Sequence, residues 1–120
     1  MKDMRLKKRS DFLSVSKSRK AFFTPHFTLQ YLLKSEQLFP RFGFTASKKV
    51  GGAVTRNRIK RRLREVTRLF SKQHSGELSL FSYDFALIAR ASAFDAPFSD
   101  LMDHFKRALR LIIPPNRDHA

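Results

Sequence analysis

Polar and apolar residues alternate from His26 to Leu33. Phe27, Leu29, Tyr31 and Leu33 fall on one side, and His26, Thr28 and Gln30 on the other. A period of two marks a half-buried strand, because successive side chains leave a strand on opposite faces. "KSEQLFP" then supplies polar turn residues ending in Pro40. "RFGFTAS" reads as a second strand, expected to pair antiparallel with the first across this short connection. A short strand near Ala21–Phe23 is predicted ahead of both. Upstream, Ser10 or Asp11 can cap a short helix to about Lys17 that buries Phe12, Leu13 and Val15 unevenly.

After Gly51 and Gly52 the period changes. From about Thr55 to Lys72 apolar residues recur at helical spacing, and Ser75-Gly76 supplies a stop. At about 100° per residue, Ile59, Leu63, Val66 and Phe70 form a narrow stripe. Asn57, Lys60, Arg61, Arg64 and Arg68 lie opposite it, with Arg56 and Arg62 on the flanks. "YDFALIARA" is almost continuously apolar, which suits a strand buried on both faces. "SAFDAPFS" reads as a loop. Ser99 or Asp100 can cap a last helix to about Ile112, with Leu101, Phe105, Ala108, Leu109 and Ile112 facing the core and Pro114-Pro115 ending it. The order α-β-β-β-α-β-α predicts a single α+β domain over residues 1–120, a two-layer sandwich with one layer of helices on a four-stranded sheet. Residues 1–9 form a basic leader, and 114–120 a tail expected to be mobile.

Composition changes the question from fold to partner. The chain has 25 Lys and Arg against 10 Asp and Glu, a formal charge of +15. Self-repulsion on this scale is tolerated where a polyanion neutralises it. No apolar stretch reaches the roughly 18–20 residues that span a bilayer. "MKDMRLKKRSDF" has basic residues but no apolar core after them, so it does not read as a secretory signal. Cysteine is absent, which removes disulfides and thiolate zinc sites and fits a cytoplasmic location.

Candidate catalytic chemistry is thin. His26, His74, His104 and His119 are scattered, and Asp100 and His104 share a helix face without a third ligand or nucleophile. That pair reads as a surface ion pair or cap, and no metal cluster or nucleophile–base set emerges. "KKVGGAVTRNR" lacks the Gly-Lys-Ser/Thr end of a phosphate loop. Nothing implies a protein partner. The basic helix is more informative. Glu65 is the only acid between Lys48 and Lys72, so acidic partners one turn away cannot relieve it. A membrane-surface helix needs bulky apolar residues free to insert, whereas this narrow stripe belongs to the core. Arginine suits bidentate phosphate contacts. Asn57 is the only amide on the cationic face, which is poor for reading bases in a DNA groove. A rigid basic helix beside a sheet with aromatic residues suits folded RNA plus a single strand. A DNA-binding protein and an assembly protein of another ribonucleoprotein, such as the ribosome, stay open.

"SKKVGGAVTRNRIKRRLRE", Ser47 to Glu65, resembles the signature of the bacterial ribonuclease P protein subunit. "RLKKRSDF" is similar to that family's approach to its first helix, and "DFALIAR" to its fourth strand, so the resemblance runs from about Leu6 to Arg110. It implies a left-handed crossover through the basic helix, against the usual hand. It also implies a ribonucleoprotein endonuclease that removes the 5′ leader of precursor tRNA. In that family the RNA subunit holds the active site and binds Mg²⁺, while the protein helps bind substrate and supports metal binding.

By position, Arg56, Asn57, Arg58, Lys60, Arg61 and Arg64 would face the catalytic RNA. Ser47, Lys48 and Lys49 match the segment leading in, and Arg68 continues the face. The resemblance places the leader in a cleft between the first helix and the sheet, where Phe12 matches a cleft position and Thr28 and Gln30 line the strand face. Ser16 stands where an aromatic is common, and Gln30 where some members have Tyr. A stacked base contributes about 1–3 kcal/mol, so both departures bear on leader affinity.

Overall fold

A strand that is apolar on both faces needs a hydrogen-bonding neighbour at each edge. The computed structural model, which describes residues 5–6, 8–34, 39–73 and 83–112, shows that arrangement for Tyr83–Ala89. The sheet comprises β1 (Ala21–Phe23), β2 (Phe27–Leu33), β3 (Arg41–Thr45) and β4 (Tyr83–Ala89), in the order β1-β2-β4-β3. β4 runs antiparallel to β2 and parallel to β3. The expected β2–β3 hairpin is therefore not formed, because β4 inserts between the two strands. The short connection between β2 and β3 spans a strand that arrives later in the chain. A parallel β3–β4 pair needs a long crossover, and α2 (Ala53–Gln73) provides it.

Alternation along the strands divides the core. On one face Phe27, Leu29, Phe42, Phe85 and Leu87 meet Ile59, Leu63, Val66 and Phe70 of α2, and Leu101, Phe105 and Leu109 of α3 (Phe98–Ile112). Phe42 stacks on Phe85 with ring centroids 5.2 Å apart, and Phe70 meets Phe105 edge-on at 5.3 Å. Both helical stripes are as the periodicity predicts. On the other face α1 (Arg9–Lys17) buries Val15 against Leu6 and Ala86, with Phe12, Leu32 and Ile88 beside them. The α+β class and the element order are as expected, but α1 covers the opposite face rather than joining α2 and α3 in one layer. Small residues make room for it. A Cβ on Gly43 would lie 2.4 Å from two ring carbons of Phe12, so the ring rests on the β3 backbone. Leu13, expected in the core, projects away from the sheet and is 44% exposed.

A polar clasp fixes α1 in place. The Arg41 guanidinium forks onto the buried Asp84 carboxylate through Nε at 2.9 Å and a terminal nitrogen at 2.7 Å. It also lies 3.5 Å from the carboxylate of Asp11 on α1. The hydrogen bond to Asp84 raises the Arg41 pKa above its ordinary value, against the opposing effect of burial.

Element ends differ from the predicted ones in small ways. Lys8, not Ser10 or Asp11, takes the cap position of α1, its carbonyl accepting from the Asp11 and Phe12 amides. Likewise the Pro97 carbonyl accepts from the Asp100 and Leu101 amides, which places Ser99 and Asp100 inside the first turn of α3. The leader is not wholly loose. Arg5 pairs with Phe42 in a parallel bridge, the Leu6 amide donates to the Phe42 carbonyl at 2.9 Å, and Leu6 is buried. The Ser75-Gly76 stop, Pro114-Pro115 and the 114–120 tail lie outside the described residues.

Candidate nucleic-acid interface

The basic helix is launched by a backbone that requires glycine. Ser47 precedes a single 3-10 turn, Lys48–Val50, and Gly51 follows with φ of 149°. L-residues rarely adopt that angle, and a Cβ at Gly51 would also sit 2.9 Å from the Thr55 side chain. Ile59, Leu63, Val66 and Phe70 then bury the apolar stripe. Thr67 is buried beside them, a position the periodicity did not single out. Its hydroxyl donates to the Arg64 carbonyl at 2.9 Å and so satisfies itself within the helix.

The cations predicted to share one outward face divide into two kinds. Arg62, on the flank, sends its two terminal nitrogens to the carbonyls of Ala93 and Ala96, at 2.6 and 2.5 Å. Arg58 donates from Nε to the Phe94 carbonyl at 3.0 Å, with its guanidinium 4.7 Å from the Phe94 ring centroid. Together they clamp the 3-10 turn Ala91–Phe94, part of the segment read as a loop, against α2. Arg56 donates to the Gly51 carbonyl at 2.9 Å. Arg68 forks onto Glu65 at 3.0 and 2.6 Å, and that contact lowers the Glu65 pKa. Among the described residues, no hydrogen bond or ion pair engages the side chains of Lys48, Lys49, Asn57, Lys60 or Arg61. Arg64 stands between the two kinds. It is half-buried with its guanidinium 5.4 Å from the Phe44 centroid, and its Nε is buried without a hydrogen-bond partner. Burial lowers the pKa of Arg62, with Arg58 adding to the effect, and of Arg64, with Arg5 adding. A guanidinium nonetheless stays charged at neutral pH.

The residues expected to line a leader cleft lie on the other side of the sheet. Thr28 pairs with Ile88 and Gln30 with Ala86, and their side chains leave β2 on the face that α1 covers. Both are half-buried, as is Phe12, whereas Ser16, one turn after Phe12 on α1, is exposed. Register adds a residue that sequence reasoning missed. Phe23 pairs with Thr28 across β1–β2, so it shares that face, and it is 70% exposed. The alternation of β1 would have placed it there had the pairing been known.

A model of the ribonuclease P family matches residues 1–112. The chain belongs to this family. A ribonuclease P protein component from Clostridioides difficile is 39% identical over 105 residues, covering 88% of this chain and 88% of that one. A second, from Brucella suis, is 38% identical over 114 residues, covering 88% of this chain and 77% of its own length. The solved RNase P protein of Staphylococcus aureus overlays with a TM-score of 0.73 at 30% identity, covering 92% of this chain and 96% of that one. The RNase P protein from Thermotoga maritima gives a TM-score of 0.70 at 23% identity over 89% of this chain, a likeness of fold.

For a ribonuclease P protein the histidines are a side issue, but the fold corrects their reading. His26 and His104, scattered in sequence, meet with ring centroids 5.6 Å apart. The Ser92 hydroxyl donates to the Pro25 carbonyl at 3.0 Å, so the 2.8 Å contact between His26 Nδ1 and Ser92 Oγ has the imidazole as donor. Asp100 forms no ion pair with His104, so the surface pair read from their spacing is not made. Among the described residues no three His, Cys, Asp or Glu side chains group as a metal site. His74 and His119 lie outside those residues.

Proposed function

We propose that this ribonuclease P protein binds the enzyme's RNA subunit with the outward side of α2, and the 5′ leader of precursor tRNA in the α1 cleft. By doing so it promotes endonucleolytic removal of the leader. The observation that carries the reading is the set Lys48, Lys49, Lys60 and Arg61. These four cations leave α2 and its approach with no described acid to answer them. Phosphates would supply the missing charge, and counterion release from the RNA would supply much of the affinity. Asn57 adds an amide to the same surface. Arg56, Arg58 and Arg62 hold the helix and its neighbouring turn rigid, so the open cations meet the RNA already positioned. No observation favours a ribosomal or DNA-binding role over this one.

The bond-breaking chemistry we assign to the RNA subunit and the Mg²⁺ it holds. Mg²⁺ is a hard cation that binds through oxygen ligands, chiefly carboxylates and phosphates. Here Asp11 and Asp84 are turned to Arg41 and Glu65 to Arg68, and among the described residues no three His, Cys, Asp or Glu side chains gather into a set that fits a protein-bound Mg²⁺. The protein's part is to neutralise phosphates where RNA and substrate would otherwise repel. No helix among the described residues is long and apolar enough to cross a membrane. A cytoplasmic place beside the RNA subunit completes the proposal.

The test is cleavage of precursor tRNA by the cognate RNA at low Mg²⁺, with and without the chain. The reading expects strong stimulation of leader removal. A cleavage rate unchanged by the protein would overturn it.

A further inference from the structure

Arg5 and Leu6, within the stretch read from sequence as a basic leader, are pinned to the sheet edge at β3. Arg5 pairs with Phe42 and the Leu6 amide donates to the Phe42 carbonyl, so this segment continues the sheet beyond β3. Paired residues share a face and neighbours alternate. Leu6 drops to the α1 side against Val15 and Ala86. Arg5 therefore lies on the side of Phe42 and Phe44, which is the α2 side.

Arg64 reaches the same place from α2, its guanidinium over the Phe44 ring. The two charges are near enough that Arg5 adds to burial in lowering the Arg64 pKa. Among the described residues no carboxylate pairs with Arg64, and the nearest in sequence, Glu65, is forked to Arg68. A buried donor left without a partner is destabilising, because it has given up its bond to water and gained none within the protein. Arg64 Nε is such a donor, next to a like charge.

We propose that Arg5 and Arg64 form a two-arginine seat for a single backbone phosphate of the RNA subunit, set at the edge where the N-terminal segment joins β3. The proposal rests on the RNA-binding reading and extends that interface from α2 onto the N-terminal segment. A phosphodiester offers two non-bridging oxygens, and each planar guanidinium can donate to one of them. Phe44 orients one fork from below. The bridge to Phe42 fixes the backbone that carries the other. Arg5 then acts with a residue on a different element, a role that no helical periodicity would reveal.

The test measures binding of the full chain to ribonuclease P RNA across a salt series, for the unchanged protein, Arg5→Ala, Arg64→Ala, the double variant and Arg61→Ala. Arg5→Ala and Arg64→Ala are each expected to weaken binding about tenfold, with a shallower salt dependence. The double variant is expected to fall short of the multiplied losses by about fivefold, as for two side chains on one partner. Multiplied losses would mean two separate phosphates, and an unaffected Arg5→Ala would remove the N-terminal segment from the interface. Either result overturns the seat while leaving the RNA-binding reading intact. If Arg61→Ala and Arg64→Ala both bind as the unchanged protein does, the RNA-binding reading itself fails. Should Arg64→Ala melt early, Arg64→Lys paired with Arg5→Lys decides by the same criterion, because lysine keeps charge and stem but loses the fork.

Discussion

Arg61 and Arg62 are neighbours on α2 and the same residue type, yet their guanidiniums meet different surroundings. Those of Arg62 are taken by the carbonyls of Ala93 and Ala96, while no described residue takes those of Arg61. The step of about 100° between them decides the difference, because it turns one side chain toward the 3-10 turn and the other outward. Arg41 extends the comparison to the far face of the sheet, where Asp84 fills the fork. A run of cations is therefore a mixture of fold-holding and open groups. Only the open ones are candidates for a polyanion.

Replacing the most internally engaged arginine has the largest expected effect. Arg41→Met leaves the Asp84 carboxylate buried and unpaired, and is expected to destabilise the fold by about 3–5 kcal/mol in denaturant unfolding. A loss below about 1 kcal/mol would show that the clasp does not hold α1. Arg62→Ala follows. It strips the hydrogen bonds from two buried carbonyls and is expected to cost about 2–3 kcal/mol, with RNA affinity retained by the folded fraction. Strong loss of RNA binding at unchanged stability would place Arg62 among the open cations and dissolve the contrast. Phe12→Ala probes the cleft. Stacking is worth about 1–3 kcal/mol per base, so binding of leader-bearing precursor should weaken relative to mature tRNA. Equal losses for the two RNAs would count against a leader cleft there. Arg61→Ala has the smallest effect on stability, within about 0.5 kcal/mol.

Elements defined by their own periodicity were legible in the sequence. The α2 stripe, the α3 stripe and the doubly buried β4 all follow from residue spacing alone. The order of strands was not legible, because a short connection favours a local hairpin while β4 demands a neighbour at each edge, and the second requirement prevailed. The same limit applies to the site. Spacing places Arg61 and Arg62 on or beside one helix surface and the resemblance adds Arg58, but the carbonyls that capture Arg58 and Arg62 belong to the segment beyond β4. The approach of Arg5 to Arg64 and the meeting of His26 with His104 are likewise products of tertiary packing. The resemblance to ribonuclease P proteins supplied the family, which the comparisons bear out. The roles it implies for single residues rest on the experiments proposed here.

The central claim is that the open cations of α2, and not its fold-holding ones, contact the RNA subunit. The most direct measurement is the slope of log affinity for ribonuclease P RNA against log salt, for the unchanged chain and for Arg61→Ala. One lost phosphate contact should make that slope shallower by about 0.7–0.9. An Arg61→Ala protein with the slope and affinity of the unchanged chain would contradict the account.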